Sequence, residues 1–204
     1  MVTELPYPLG YHLQEYLLII EPIDQAQKQI QAFKRYFIKN HRYHNAIVSR
    51  GHITLMRFLQ HEHVEQRIVQ KLQQLANSIQ PFEVELQNFG SFGHTLFIDV
   101  KSADPILQLV ATHKQELRPL LSGAKHLAPY FAAKPHITIA RNLTPAQHEI
   151  IWPIWKRTRY HDTFRANNMV LLKRAAGIQS RYAVVRKFDF LGLLPPFIQG
   201  KLFA

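Results

Sequence analysis

The sequence predicts an α+β protein whose chain folds into two similar lobes facing each other across a cleft. Three observations carry that expectation. Stretches whose apolar residues recur every three or four positions alternate with stretches whose apolar residues recur every second position, which are the helix and strand periods. The word His52-Ile53-Thr54-Leu55 returns 84 positions later as His136-Ile137-Thr138-Ile139. Laid over each other, the halves repeat strand, helix, the word's strand, helix and two strands, the first half closing with the strand at Thr95 to Val100, with 30 residues from His52 to Phe82 and 28 from His136 to Phe164, a period that suggests duplication.

Tyr11 to Ile20 reads as the first strand, and Asp24 opens an amphipathic helix whose apolar residues Ala26, Ile30, Phe33 and Phe37 step by four, three and four. A basic, aromatic loop from His41-Arg42-Tyr43-His44 to Arg50 leads into a strand from His52 to Phe58. Val64, Ile68, Leu72, Leu75 and Ile79 mark a second helix, stopped by Pro81, which has no amide hydrogen to donate. Phe82 to Leu86 and Thr95 to Val100 alternate as strands around a turn at Gly90 to Gly93. Asp104 reads as an N-cap with Pro105 in the first helical position, opening a helix through Ile106, Leu109, Val110, Leu117 and Leu121 that ends near Gly123.

A second lead-in loop, Lys125 to Pro135, delivers the chain to the second word. Thr144-Pro145-Ala146-Gln147 matches a capping box and starts a helix with Ile150, Ile151, Ile154 and Trp155, which Pro153 is expected to bend. Strands Phe164 to Lys173 and Arg181 to Phe190 complete the pattern. The tail from Leu191 to Ala204 is expected to pack on the body, and residues 1–204 to form a single domain of two intertwined lobes.

A hydrophobic content of 47% over 204 residues is enough for a sizeable core. The chain has no cysteine, which excludes disulfides, thiol nucleophiles and Cys-ligated zinc and fits a reducing, cytoplasmic location. Its longest early apolar run, Leu17 to Ile20, lies between Glu15 and Glu21 and is far too short for a signal segment or a membrane span, so no membrane partner is expected. The net charge of +11 would draw polyanions such as nucleic acid. A solvated basic surface needs no such partner, so the charge gains meaning only beside a site suited to phosphate.

The repeated word supplies such a site. In an extended strand successive side chains point to opposite faces, so the His and Thr of each word share one face while Ile53, Leu55, Ile137 and Ile139 take the other. With 12 His and 8 Thr, random order yields roughly half of one His-x-Thr match. One stray match exists, His161-Asp162-Thr163, but it lacks apolar flanks and falls where a helix-to-strand connection is expected. The other two share a central Ile, a following aliphatic residue, and an Arg five positions after the His, Arg57 and Arg141. Two imidazoles that divide acid and base duties, each beside a hydroxyl donor, suit attack on a phosphodiester without a metal. A single such His would read more simply as a buried ring satisfied by backbone, and a single Thr as an ordinary strand former; the duplication changes the reading.

His52-Ile53-Thr54-Leu55 and Pro135-His136-Ile137-Thr138-Ile139-Ala140-Arg141 resemble the two signatures of the 2H phosphoesterase superfamily, in particular its 2′-5′ RNA ligase-like (LigT-like) branch, over about residues 11 to 190. The resemblance implies a bilobal, pseudo-twofold fold with two antiparallel-rich sheets facing a central cleft and helices outside. It also implies an enzyme that cleaves 2′,3′-cyclic or 2′-5′ phosphodiesters in RNA or nucleotides. By matching position, His52 and His136 take the catalytic roles and Thr54 and Thr138 the phosphate-binding ones. Gly51 departs from the pattern, in which an apolar residue or Pro often precedes the first His, and this bears on the loop geometry there.

Other residues are candidates to hold substrate. Arg57 and Arg141 lie at an odd offset from each His, on the opposite face by strict alternation unless they sit at strand ends, and Lys134 stands two before His136. Tyr130, Phe131, Phe92 and Tyr182 could stack a base or could be core. His61-Glu62-His63 and the pair His41/His44 have spacings a metal could use, but no acidic ligands converge with them, so neither metal nor cofactor is expected. The expected reaction is hydrolysis of a 2′,3′-cyclic phosphate or a related 2′-5′ linkage by one neutral and one protonated imidazole. A noncatalytic RNA-binding protein that keeps the pocket, or a phosphodiesterase for small cyclic nucleotides, would use the same residues.

Overall fold

A computed structural model describes residues 12–41, 49–121, 128–178 and 180–193. Its elements run β1 (Leu13–Ile20), α1 (Asp24–His41), β2 (Ile53–His61), α2 (Glu65–Ser78), β3 (Phe82–Ser91), β4 (Thr95–Val100), α3 (Ala103–Leu121), β5 (Tyr130–Phe131), β6 (His136–Arg141), α4 (Pro145–Arg157), β7 (His161–Ala166), β8 (Asn168–Ala175) and β9 (Ala183–Asp189), with a 3-10 turn at Glu62–Val64. The class is α+β, as expected. Every strand pairing among these residues is antiparallel, in the order β7-β3-β4-β6-β2-β1-β8-β9, with β5 also on β2.

The two expected sheets are present as two four-stranded halves, joined into one sheet where β6 meets β2. That junction is a single residue pair, Ile53 opposite Ile137. Each tetrad strand is therefore the inner edge of its own half. The duplicated unit is strand, helix, tetrad strand, helix: β1-α1-β2-α2 answers β4-α3-β6-α4. This corrects the sequence reading, which closed the first repeat with the strand at Thr95 to Val100. That strand opens the second unit, because it pairs with β6 as β1 pairs with β2. The outer strands trade places: β3 leaves the first unit to lie in the second half beside β4, and β8 and β9 return to lie beside β1.

The core follows from the helix stripes. Ala26, Ile30 and Phe37 of α1, Ile68, Leu72 and Ala76 of α2, Ile106, Leu109, Leu117 and Leu121 of α3, and Ile151 and Trp155 of α4 join Tyr16, Leu18, Ile20, Ile53 and Ile137 in one buried cluster. Each fully buried aliphatic side chain there contributes roughly 1.5–3 kcal/mol relative to exposure. Phe33, Phe89, Trp155 and Tyr160 form an edge-to-face group that ties α1 to α4 and β3. Leu17, Ile19 and Val170 make a second, smaller cluster on the opposite face of the first half, which explains why β1 is buried from Tyr16 to Ile20 without alternation.

Several boundaries move. The apolar run read as one strand, Phe164 to Lys173, is two, broken at Asn167 where the chain passes from the second half to the first and the Asn167 carbonyl accepts a hydrogen bond from the Phe190 amide. Strand β3 extends to Ser91, so Gly90 is a strand residue and the turn lies at Phe92 to His94. Helix α3 begins at Ala103, which puts Asp104 in its first turn rather than at its cap. The stray His161-Asp162-Thr163 lies within β7, whose register sets His161 opposite Gln87, rather than in a connection. Thr144 forms the capping box with Gln147, and α4 runs through Pro153 to Arg157. The first tail residues are tied to the end of α2 by Gly192 N–H to Ile79 O and Leu193 N–H to Asn77 O. Tyr11, Arg42 to His44, Gly123, Lys125 and the tail beyond Leu193 lie outside the described residues.

Candidate active site

The first tetrad is held by a polar stripe on α1. Gln27, Gln31 and Lys34 recur at i, i+4 and i+7 and so share a helix face. Gln27 grips Gly51 twice: its Nε2 donates to the Gly51 carbonyl (3.0 Å) and its Oε1 accepts from the Gly51 amide (2.9 Å). Gln31 Nε2 and Lys34 Nζ both donate to the Ser49 carbonyl, at 3.1 and 2.8 Å. A Cβ on Gly51 would stand 2.6 Å from Ile30 Cγ2 and 2.9 Å from Gln27 Oε1, so only glycine lets the chain come this close to α1. This is the structural reason for the residue before His52.

The second tetrad comes after a buried Pro135 and the short strand β5, an element the sequence reading treated as loop. Both imidazoles are oriented in one way. His52 Nδ1 lies 3.0 Å from the Arg50 carbonyl and His136 Nδ1 lies 2.8 Å from the Lys134 carbonyl. A carbonyl can only accept, so each Nδ1 carries hydrogen and each Nε2 is the nitrogen left for chemistry.

The junction pair fixes which side chains face each other. With Ile53 opposite Ile137 in an antiparallel pair, Thr54 stands across from His136 and His52 across from Thr138, on the face opposite the two buried isoleucines. All four polar side chains are half-buried, their edges open to solvent.

Both tetrads end in the same irregularity. Opposite β1, Thr54 pairs with Ile19 and Met56 with Leu18, leaving Leu55 as an extra residue; opposite β4, Thr138 pairs with Phe97 and Ala140 with Leu96, leaving Ile139 as the extra one. A bulge advances side-chain parity by one. Leu55 and Met56, like Ile139 and Ala140, are consecutively buried, and the next residues, Arg57 and Arg141, return to the His-Thr face, where Arg57 pairs with Leu17 and Arg141 with Thr95. The strict alternation that assigned these arginines to the other face is thereby corrected. Nor is Arg57 at a strand end: it lies mid-β2, whereas Arg141 ends β6.

The two arginines differ in surroundings. Arg141 is among the positive charges that act on both His52 and His136. Arg57 lies 3.8 Å from Glu15, in a group with Arg174 and Tyr182. Burial pushes the His52 ring down to about 4, and Lys34, Arg141 and His136 press the same way against the Arg50 carbonyl bond. Burial also lowers His136, aided by Lys134 and Arg141, but the Lys134 carbonyl and the Asp99 carboxylate oppose it. Lys34 itself is lowered to about 8 by burial and by Arg141. On balance the imidazoles sit in a positive field.

Lys134 lies 3.7 Å from Asp99 and over the rings of Phe97 and Phe92. Tyr130 stands across from Arg57 and is exposed, while Phe131 stands across from Met56 and packs on the core side, away from the tetrads. Tyr182 packs on the Leu17–Ile19–Val170 cluster beneath the Arg174 guanidinium, and burial raises its hydroxyl to about 12. His61 and His63 stack with each other; among the described residues no three His, Cys, Asp or Glu side chains gather as a metal site would need. No described helix is long and apolar enough to cross a membrane. Sequence reading missed Gln27, Lys34, Asp99 and Phe97. Polar residues on an amphipathic helix look like a solvent face, and a helix stripe at i, i+4, i+7 pointing inward was the available signal.

Comparison with known proteins gives the family and supports the fold. The family model described as the 2′-5′ RNA ligase superfamily matches residues 22–178. Two relatives are provisionally named phosphoesterases: one from Geobacillus kaustophilus, 29% identical over 66% of this chain and 75% of its own length, and one from Bacillus licheniformis, 24% identical over 47% of this chain. The chain spans only 54% of the Bacillus protein. Among solved structures, TT0787 of Thermus thermophilus superposes with a TM-score of 0.66 at 17% identity, covering 87% of this chain and 98% of its own. E. coli LigT complexed with 3′-AMP gives a TM-score of 0.57 at 15% identity, covering 88% and 98%; LigT has also been crystallised with ATP and with phosphate. With the matched region enclosing both tetrads and the helices that hold them, the chain belongs to the 2′-5′ RNA ligase superfamily of 2H phosphoesterases.

Proposed function

We propose that the protein hydrolyses 2′,3′-cyclic phosphates of RNA ends or nucleotides by metal-independent acid–base catalysis, with His52 as base and His136 as acid. The observation that carries this reading is the register across Ile53 and Ile137, which opposes each His to the other strand's Thr while both Nδ1 atoms are tied to carbonyls. His52 Nε2, the more strongly depressed ring, is neutral and takes a proton from water as the water oxygen attacks phosphorus. The bond from phosphorus to one ribose oxygen breaks, and His136, the ring with a carboxylate beside it, gives that oxygen its proton. Thr54 and Thr138 donate hydrogen bonds to the nonbridging oxygens, where negative charge builds. The positive field of Lys34 and Arg141 favours the same charge. A 2′-5′ linkage meets the same groups, in cleavage or in the reverse, ligating sense. LigT's crystallisation with 3′-AMP, ATP and phosphate supports a nucleotide or RNA substrate, as does the net charge of +11.

The test is turnover of nucleoside 2′,3′-cyclic phosphates in the presence of EDTA. Activity is expected to persist, and His52→Ala or His136→Ala each to lower kcat roughly 10²–10⁴-fold. Loss of activity in EDTA, no turnover at all, or full activity in both variants would overturn the proposal.

A further inference from the structure

The two halves of the groove differ in what they set beside the tetrads. In the first half the residue paired with Thr54 is Ile19, clustered with Leu17 and Val170, and the ring that packs on this cluster, Tyr182, lies beneath Arg174. In the second half the residue paired with Thr138 is Phe97, and aromatic rings continue outward from it. Phe97 is buried and lies so close over Gly90 that a Cβ there would meet the ring at 2.4 Å. Phe92 lies tilted against Phe97 with centroids 4.4 Å apart and planes 33° off, and meets His136 edge-on at 5.2 Å. Yet Phe92 is 45% exposed.

An exposed aromatic ring beside an active site is informative only if it is held still, and this one is. The Phe92 amide donates to the Thr95 carbonyl, the Gly93 amide donates to Ser91 Oγ, and Ser91 Oγ lies 2.7 Å from His148 Nε2 on α4. The Leu143 amide closes the far side by donating to the His94 carbonyl. Gly93 takes a φ of +84° that suits only glycine in so tight a turn. Lys134 Nζ lies 5.8 Å from the Phe92 centroid and 5.1 Å from that of Phe97, adding a cation to the aromatic surface.

We infer that Phe92, backed by Phe97 and flanked by Lys134, is a stacking subsite for a purine or pyrimidine base. The base belongs to the nucleoside whose phosphate lies between His52 and His136, an assignment that rests on the function proposed above. A nucleotide's base stands one ribose away from its phosphate, and Phe92 stands one ring beyond His136. The rings that the first half sets on this face stand beside arginines, Tyr182 beneath Arg174 and Tyr130 across from Arg57, whereas Phe92 and Phe97 lie against His136 itself, so the base is taken on the second-lobe side. Stacking tolerates any base because every base has a flat face, with the larger purines covering more of the ring.

The experiment compares kcat/KM for a purine nucleoside 2′,3′-cyclic phosphate with that for the cyclic phosphate of a small diol that has no base. Phe92→Ala is expected to shrink this ratio about fivefold or more, while Phe92→Trp keeps it. A ratio that Phe92→Ala leaves alone overturns the subsite, whatever the variant does to overall rate. If the natural chain turns over neither compound, it is the catalytic proposal that fails. The subsite is then read from calorimetric Kd values for 3′-AMP against ribose phosphate: a base preference lost in Phe92→Ala upholds it, and no base preference in the natural chain overturns it.

Discussion

Ile53 stands directly opposite Ile137, both without exposed surface, and this is the residue pair through which β2 and β6 meet. The alignment of the two tetrads therefore depends on a packing contact on the far side of the sheet from the chemistry. Ile137→Ala is expected to cost about 2–5 kcal/mol of stability. Activity should fall further than the lost folded fraction explains, because the strand that presents His136 is no longer pinned against β2. Urea unfolding and kcat/KM measured at equal folded fraction check both halves; a destabilised but fully active folded enzyme would contradict the second.

The rate should peak on the acid side of neutrality. In the free enzyme His52 is neutral above about 4, and His136 is protonated only below a value that burial holds under the ordinary 6.5. Since kcat/KM reports free-enzyme groups, its bell should lie between these limits. Lys34 is one of the cations that push His52 down, so Lys34→Met should raise the His52 pKa and move the acid limb upward, while Lys34→Arg should hold it low. Histidine NMR titration reads the shift directly, and an unmoved or lower His52 pKa in Lys34→Met would count against this account.

The two arginines should separate. Arg141 acts on both imidazoles, and removing a charged donor to phosphate costs about 1.5–3 kcal/mol, so Arg141→Gln should lower kcat/KM roughly ten- to a hundredfold. Arg57 is paired with Glu15 at the surface, an interaction worth about 1 kcal/mol or less. Arg57→Gln should change kcat/KM no more than about threefold. Equal effects of the two substitutions would refute the distinction drawn between them.

Local signals in the sequence proved reliable where the structure is decided locally. The capping box at Thr144, the start of α1 at Asp24 and both ends of β4 depend on side chains within a few residues of each other. That the two tetrad strands meet was legible because the word is repeated. What escaped the sequence depends on distant strands. Nothing near Asn167 says that one apolar run must serve two halves of the sheet, and nothing near Leu55 or Ile139 says that the strand gains a residue against its neighbour. That missing bulge is why alternation sent Arg57 and Arg141 to the wrong face. Gln27 and Lys34 were missed for the opposite reason: a polar residue on a helix is ordinarily wet, and these two turn inward to hold the loop before His52.

The most direct test tracks the side-chain nitrogens of His52 and His136 by NMR as inorganic phosphate is added. Both Nε2 signals should move along one binding curve with one phosphate per chain, while both Nδ1 atoms stay protonated. Two curves with different midpoints, or a response from only one ring, would contradict a single anion held between the two strands.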